Sequence, residues 1–567
     1  MTMTTEISMT EPLEHSRRDF LRVGSLACIT TAAAVAGFPQ TTLAQSLSNI
    51  GVSVSVDQAA RWLRFSTFAP LDSEILDVAT RGYASWLETQ MLLPQSRTVS
   101  DWVRLQGPPG FEDPNQLIAF TERVRAIDWK CVYAADQFRQ RVTYALSNIF
   151  VVSTLSISAY ICASFWDTLN KHAFGNFREL IEAITYSVDM GIYLTYMNNS
   201  KGDAASGRQP DENYARELMQ LFTIGLWELN EDGSRKIDSK GHPIPTYSQA
   251  DVTQMARVFT GLYANGTTYW GEKVRFGFTN FSAFSSELWA SPMQADDSRH
   301  SPESVRALDG RVDIPAGTSC SQAIRKALDA LFQHPSCPPF IALNLIRRLT
   351  CSNPSPAYVT RVSRAFVNNG QGVRGDMKAV LRAIFLDPDL LTPGTPRFGM
   401  LTPRYVYTMG AARRLGCFSN PLTQRVMSQY DHTLIGSQRP FTAPTVFNFN
   451  RPDFTTPELR ALELVGPELE NCDEYGASQV FTGLGHLCSN ATLTPNLSLR
   501  LISADNDAAL LDELSRRLSG KVLPDGDRSS LLSILRGIGR TQVTYQRQVL
   551  AAMLWTILIH PQNMVLS

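Results

Sequence analysis

Asn176-Phe177-Arg178-Glu179-Leu180-Ile181-Glu182-Ala183-Ile184 is the stretch whose spacing decides the fold. Phe177, Leu180, Ile181 and Ile184 recur at i, i+3, i+4 and i+7, the mark of a helix with one buried face. Asn176 stands where a helix cap belongs, and Glu179 follows three residues later, as in a capping box. The same spacing returns at Val252, Met255, Ala256 and Phe259, behind Ser248 and Asp251, and at Met377, Val380, Leu381 and Ile384. Asn369-Gly370 and Asp387-Pro388 read as helix stops. These patterns predict a mainly α protein, one large multi-helical domain. Two stretches break the helical period. Asn230 to Thr246, with Asp232-Gly233 and Lys240-Gly241 as turn dipeptides, reads as a short β-hairpin, and alternating Val274, Phe276 and Phe278 read as a brief strand. No repeat of fixed period is evident. The expected division is a signal at 1–44, a main helical domain at 45–395 and a C-terminal helical lobe at 396–567 packed on it, with Pro-marked Leu391 to Pro396 as the link.

The signal is read from Ser16-Arg17-Arg18-Asp19-Phe20-Leu21, a twin-arginine pattern. The uncharged run Val23 to Phe38 spans 16 residues, short of the ~20 a membrane-spanning helix needs. Thr42-Leu43-Ala44 then offers small residues for cleavage. The twin-arginine translocase is thus the expected partner during export, and the periplasm or the exterior the expected location. Past the signal no apolar run is long enough to span a bilayer. A net charge of −1 removes the broad electrostatic case for nucleic acid. Of nine cysteines, Cys28 lies in the signal and none of the others shows CxxC spacing. Proximity alone pairs Cys320 with Cys337 and Cys472 with Cys488; buried free thiols fit equally well.

The chemistry centres on Asp211-Glu212-Asn213-Tyr214-Ala215-Arg216-Glu217. On a helix, Asn213, Glu217 and Gln220 share one face, with Tyr214, Leu218, Leu221 and Phe222 opposite. Glu217 suits a general acid or base, Arg216 and Asn213 suit orienting it or a substrate, and Asp211 or Glu212 suits the second carboxylate of a glycoside hydrolase. The plainer reading has Asp211 capping the helix, Glu212 at its positive end, and Arg216 and Glu217 in an ion-pair network. A second cluster is Asp167, His172, Asn176 and Arg178, where His172 either pairs with a carboxylate or completes a helix C-terminus. Asn148 reads as a buried anchor or a site residue. Asp189 and Asn198-Asn199 read as turn chemistry. In Phe441 to Phe454, aromatics beside Asn448, Asn450 and Arg451 suit sugar binding, or else pin an irregular loop into the core. No GxSxG, HExxH, P-loop or dinucleotide fingerprint is present, no metal site is assigned, and no cofactor is named.

Together with its flanks, this central motif resembles the bacterial domain-of-unknown-function family eighteen hundred. Ala60-Arg61-Trp62-Leu63, Phe165-Trp166-Asp167, His172 to Arg178, Tyr247 to Gly261, the Ile314-Pro315-Ala316-Gly317 turn, Gly370 to Pro388 and Pro444 to Phe449 carry the likeness, over roughly Asp57 to His560. The resemblance implies a helical, exported protein and a sulfatase-like partner. One departure is His300-Ser301, where relatives often carry a His-Asp pair. The function expected is an exported hydrolase acting on a cell-envelope or extracellular polymer such as a polysaccharide, with Glu217 as acid/base. The alternatives are a non-catalytic exported binding or assembly protein, and a metal- or redox-cofactor protein.

Overall fold

The computed structural model describes residues 54–106, 116–153, 161–264, 291–392, 398–415, 438–471 and 522–536, with short pieces at 508–509, 511–512, 514–515, 557 and 565–566. The chain divides into Met1–Val54 and a compact unit, Ser55–Ser567. The signal, the Val274–Phe278 strand, most of the Leu391–Pro396 link and the Cys472–Cys488 pair lie outside the described residues. The fold is mainly α with small sheets of two strands. Among the described residues, no helix is long and apolar enough to cross a membrane.

The predicted helices form where the apolar spacing places them: Phe177–Thr185, Gln249–Val258 and Met377–Phe385. Ser248 and Asp251 make the reciprocal capping box. Asn176 caps with its side chain, accepting from the Arg178 N–H, but Glu179 does not close the box. Asp387-Pro388 is the expected stop and also a start: the helix Met377–Phe385 ends at its Leu386 cap just before this pair. Asp387 accepts from the Asp389 N–H at 2.9 Å and Pro388 opens the helix Pro388–Leu391, where a missing proline N–H costs nothing. The hairpin reading of Asn230–Thr246 holds as antiparallel bridges Leu229↔Arg235 and Ile237↔Pro243, with Gly233 and Gly241 left-handed in the turns. The Cys320–Cys337 guess is corrected, since both thiols are buried and free. Each opens its own helix, Cys320–Gln333 and Cys337–Leu349, so the first helix, at about 1.5 Å per residue, separates them.

A repeat is present after all. Helices Gln137–Ser147, Ile161–His172, Phe177–Thr185 and Val188–Tyr193 are followed, in the same order, by Cys337–Leu349, Pro356–Val367, Met377–Phe385 and Pro388–Leu391. From Gly175 to Met190 the register is a constant 200 positions: Gly175/Gly375, Ala183/Ala383, Ile184/Ile384 and Asp189/Asp389 are identical. Buried Phe177, Leu180 and Ile181 answer buried Met377, Val380 and Leu381. The copies meet where their third helices begin. Asn176 and Asp376 form an antiparallel bridge; the Phe177 N–H donates to the Gly375 carbonyl at 2.8 Å, and the Met377 N–H to the Gly175 carbonyl at 3.0 Å. Such reciprocity is the signature of two-fold symmetry.

Aromatic packing then closes the core around the repeat. Phe138 meets Phe385 edge-on at 4.9 Å and stacks on Phe174 at 5.4 Å. Trp62, from the opening helix Val56–Ser66, lies edge-on to Phe385 and donates its indole N–H to the Phe385 carbonyl at 2.8 Å. Residues beyond 396 return to the first helices: Arg413 grips Glu74 with two bonds of 2.8 Å, and Met400–Leu401 pairs with Val565–Leu566.

The two clamp glycines are not equivalent. Gly375 has φ +75°, and a Cβ there would sit 2.7 Å from the Phe332 ring, whereas at Gly175 the nearest atom is 3.6 Å away. Gly375→Ala is therefore expected to destabilise by about 1–3 kcal/mol and Gly175→Ala by less than about 1. Urea unfolding of the two variants checks this; equal midpoints would contradict it.

Candidate functional site

The motif begins on a cap. Asp211 accepts the Asn213 N–H at 2.8 Å through one oxygen and the Thr195 hydroxyl at 2.8 Å through the other. Glu212 takes three donors: Thr253 Oγ1 at 2.8 Å, Gln249 Nε2 at 2.8 Å and Arg216 Nη2 at 3.1 Å. These bonds, Thr253 first, hold its carboxyl below the usual range. Arg216 thus pairs with Glu212, one turn back, and also reaches Gln249. Of the two carboxylates expected as partners for Glu217, Asp211 caps the helix start and Glu212 is tied to Arg216 and to the helix Gln249–Val258.

Glu217 is different. It ends the short helix Asn213–Glu217 and stands at the head of a π-helix, Leu218–Thr223. It is 7% exposed, and among the described residues its Oε2 is buried with no hydrogen-bond partner. Burial pushes its pKa up, against the opposing charge of Arg216. The wider π turn is held by Thr223, whose hydroxyl donates to the Leu218 carbonyl at 2.6 Å; such insertions are rare and recur at functional sites. Two phenols stand within the field of Glu217. Tyr193 is pushed up to about 12 by burial and then by Glu217. Tyr247 is pushed up to about 12 by burial, with Arg216 opposing and Glu217 adding; its hydroxyl donates to Gln220 Oε1 at 3.2 Å. Tyr214, on the apolar side, stacks on Tyr196 at 3.9 Å and shares a 2.7 Å bond with the Thr185 hydroxyl. The motif is so tied to the Phe177–Thr185 helix.

A cavity of about 610 Å³ opens along the helices Ile161–His172, Phe177–Thr185 and Val188–Tyr193. His172 lines it together with Asp167, Lys171, Glu179, Glu182 and Asp189; Asn213, Arg216 and Glu217 do not. Burial lowers the His172 pKa, Lys171 adds to the effect and Glu179 opposes it. Asp167 does not pair with His172. It accepts the Val99 and Ser100 N–H groups at 2.8 and 2.9 Å and so caps the helix Val99–Gln106. Arg178 is held by Glu182 and Asp329, both at 2.6 Å. Asp189, read from sequence as turn chemistry, is 2% exposed. Its one sequence signal is a carboxylate set between Val188 and Met190.

The late residues serve each other. Asn448, left-handed at φ 66°, donates to Asn148 Oδ1 and accepts the Phe449 N–H at 2.8 Å. Asn148 in turn donates to the Tyr144 carbonyl at 2.7 Å. The Asn450 carbonyl receives Arg348 Nη2 at 2.8 Å, and Arg451 bridges to Glu470 at 2.7 Å. Phe441 packs edge-on against Phe165 and Trp166, each at 6.1 Å. Asn148, Asn448 and Asn450 therefore pin a loop to the core, and Arg451 ties that loop to the turn Pro467–Asn471. His300 lies buried with Nδ1 2.9 Å from the Thr260 carbonyl, and Ser301 donates its N–H to Thr260 Oγ1 at 2.9 Å. Among the described residues, no three His, Cys, Asp or Glu side chains gather as a metal site.

No curated protein and no solved structure matches the chain. A family model described as "Protein of unknown function (DUF1800)" matches residues 61–564. The helical repeat, the π-helix behind Glu217 and the cavity all fall within that span, and the chain belongs to the DUF1800 family.

Proposed function

We propose that this chain is an exported hydrolase acting on a cell-envelope or extracellular polymer such as a polysaccharide, with Glu217 as its acid/base group. The observation that carries the reading is the state of the four charged motif residues Asp211, Glu212, Arg216 and Glu217. Three are held by neighbours at the helix start or on the next helix, while Glu217 alone of the four is buried with an oxygen left without a partner. Burial favours its protonated form, which is what a general acid requires. The protonated carboxyl would give its proton to the leaving oxygen as the bond to that oxygen breaks. The resulting carboxylate would take a proton from the attacking water, restoring the acid. Asn213, one turn away, and the Gln220–Tyr247 pair would position the substrate's hydroxyls. That the motif and the large cavity have no lining residue in common favours a second reading, a non-catalytic exported binding protein working with a sulfatase-like partner.

Glu217→Gln separates these readings. If Glu217 is the acid, release of reducing ends from envelope polysaccharide falls by about 10²–10⁴-fold; full activity in the variant would contradict the hydrolase reading. The same substitution has a signed effect on stability. A carboxyl whose folded pKa is raised binds its proton more tightly in the folded state, so stability is greatest below the unfolded pKa and falls as pH rises through the folded one. Glu217→Gln removes that loss. Its melting temperature should exceed the wild type's above the Glu217 titration and match it in acid; a variant less stable at every pH would contradict the unpartnered carboxyl. Export is tested separately: Arg17→Lys with Arg18→Lys should leave the precursor in the cytoplasm, and undiminished export would overturn the twin-arginine assignment.

A further inference from the structure

Asp189 and Asp389 hold matching places in the two copies, each in the short fourth helix. Their surroundings differ. In the second copy, Ser355 Oγ donates to Asp389 Oδ2 at 2.6 Å and Arg361 Nη2 donates to Asp389 Oδ1 at 3.2 Å. Arg361 also grips Asp387 with bonds of 2.7 and 2.8 Å. In the first copy, Ser164 and Ser187 hydroxyls donate to Asp189 Oδ2 at 2.9 and 3.2 Å. Serine hydroxyls hold both carboxyls, though from different places, Ser355 ahead of its helix and Ser164 within one, but the contact that Arg361 makes is not repeated. The Ile161–His172 helix carries no arginine where Pro356–Val367 carries Arg361. Asp189 Oδ1 is buried and without a partner among the described residues, and Asp189 lines the 610 Å³ cavity. That volume lies within the range of small-ligand sites, about 300–1,000 Å³.

We propose that this cavity binds a small organic cation, through a guanidinium or primary ammonium group that takes against Asp189 the place Arg361 takes against Asp389. The walls suit that charge. Glu179 is exposed at the rim, Glu182 shares its charge with Arg178, and Asp167 is engaged by the backbone amides of Val99 and Ser100. Among the described residues Lys171 is the cation on the lining, and His172 is kept toward its neutral form by burial. Arg123, from the helix Gln116–Tyr133, lends Asp189 some positive field, yet desolvation still pushes the carboxyl well above its usual range. A bound cation reverses that balance, because an opposite charge at contact favours the ionised carboxylate.

The test is calorimetric titration of the mature chain with agmatine and n-butylamine, against n-butanol as the uncharged control. Agmatine and butylamine should bind and butanol should not. Asp189→Asn, which keeps the shape and removes the charge, should weaken binding at least tenfold. Ala183→Leu, which fills the wall, should weaken it without touching a charged group. Affinity should rise with pH as Asp189 ionises, and should still rise in His172→Gln, which excludes loss of the imidazolium charge as the cause. Glu217→Gln should bind agmatine like the wild type, so failure of the hydrolase reading leaves this site standing. Binding of the amines no tighter than of butanol, unchanged binding in a folded Asp189→Asn, or loss of binding in Glu217→Gln would each overturn the proposal.

Discussion

Two hydrogen bonds between helix starts carry the architecture: Phe177 N–H to the Gly375 carbonyl, and Met377 N–H to that of Gly175. Helix starts leave backbone N–H groups without intrahelical partners. Here the Phe177 N–H and the Met377 N–H of the two helices satisfy theirs on each other's preceding glycine, while Asn176 and Asp376 cap the next groups. Asn176 adds a bond from its amide to the Arg374 carbonyl at 2.8 Å. The aromatic contact of Phe177 with Phe366 at 5.4 Å, and of Phe366 with Phe332 at 5.9 Å, packs against the same junction. Gly375 must be glycine to let Phe332 approach. With these helices fixed, the short fourth helices leave them in corresponding places, and Asp189 and Asp389 become counterparts.

The copies then diverge in how they treat a buried carboxyl. An ionised group out of water is costly unless it is paired. The second copy meets that demand internally with Arg361. The first copy leaves one buried oxygen of Asp189 without a hydrogen bond beside a cavity, and the motif that follows leaves one oxygen of Glu217 unmet at a π-helix. Val188–Tyr193 links the two: Asp189 lies in its first turn, and Tyr193, its last residue, lies within the field of Glu217. Perturbed carboxyls of this kind gather where proteins bind or react, although structural networks perturb them too. Glu468 is an instance of the latter, pushed up to about 7 by burial against the opposing charges of Arg348 and Arg141 in the core.

Apolar periodicity made the helices legible, because each is amphipathic and its period survives in a single sequence. Turn dipeptides made the Asn230–Thr246 bridges legible for an equally local reason. What escaped depends on contacts across the chain. The π-helix after Glu217 uses residues that suit an α-helix, so nothing in Leu218–Thr223 announces it. The pairing of Asn148 with Asn448 spans 300 positions, and it turns two residues that suit sugar binding into a loop anchor. Glu212 reads as a free carboxylate until Gln249 and Thr253 arrive from the next helix. The repeat was hidden because its register is constant over only one helix and its flanks. Asp189 reads as an ordinary turn residue because the missing counterpart of Arg361 can be seen only beside the copy that has it.

Asp189 and Glu217 are buried carboxyls that each keep one oxygen without a hydrogen bond, so burial holds them toward their protonated, neutral form. Infrared titration of the protonated-carboxyl band, taken as wild type minus Asp189→Asn and wild type minus Glu217→Gln, reads each group directly. The account predicts that both difference bands persist to higher pH than the solvent-exposed carboxyls, with Asp189 the more strongly displaced. Two groups that lose their protons together with the surface carboxyls would contradict it.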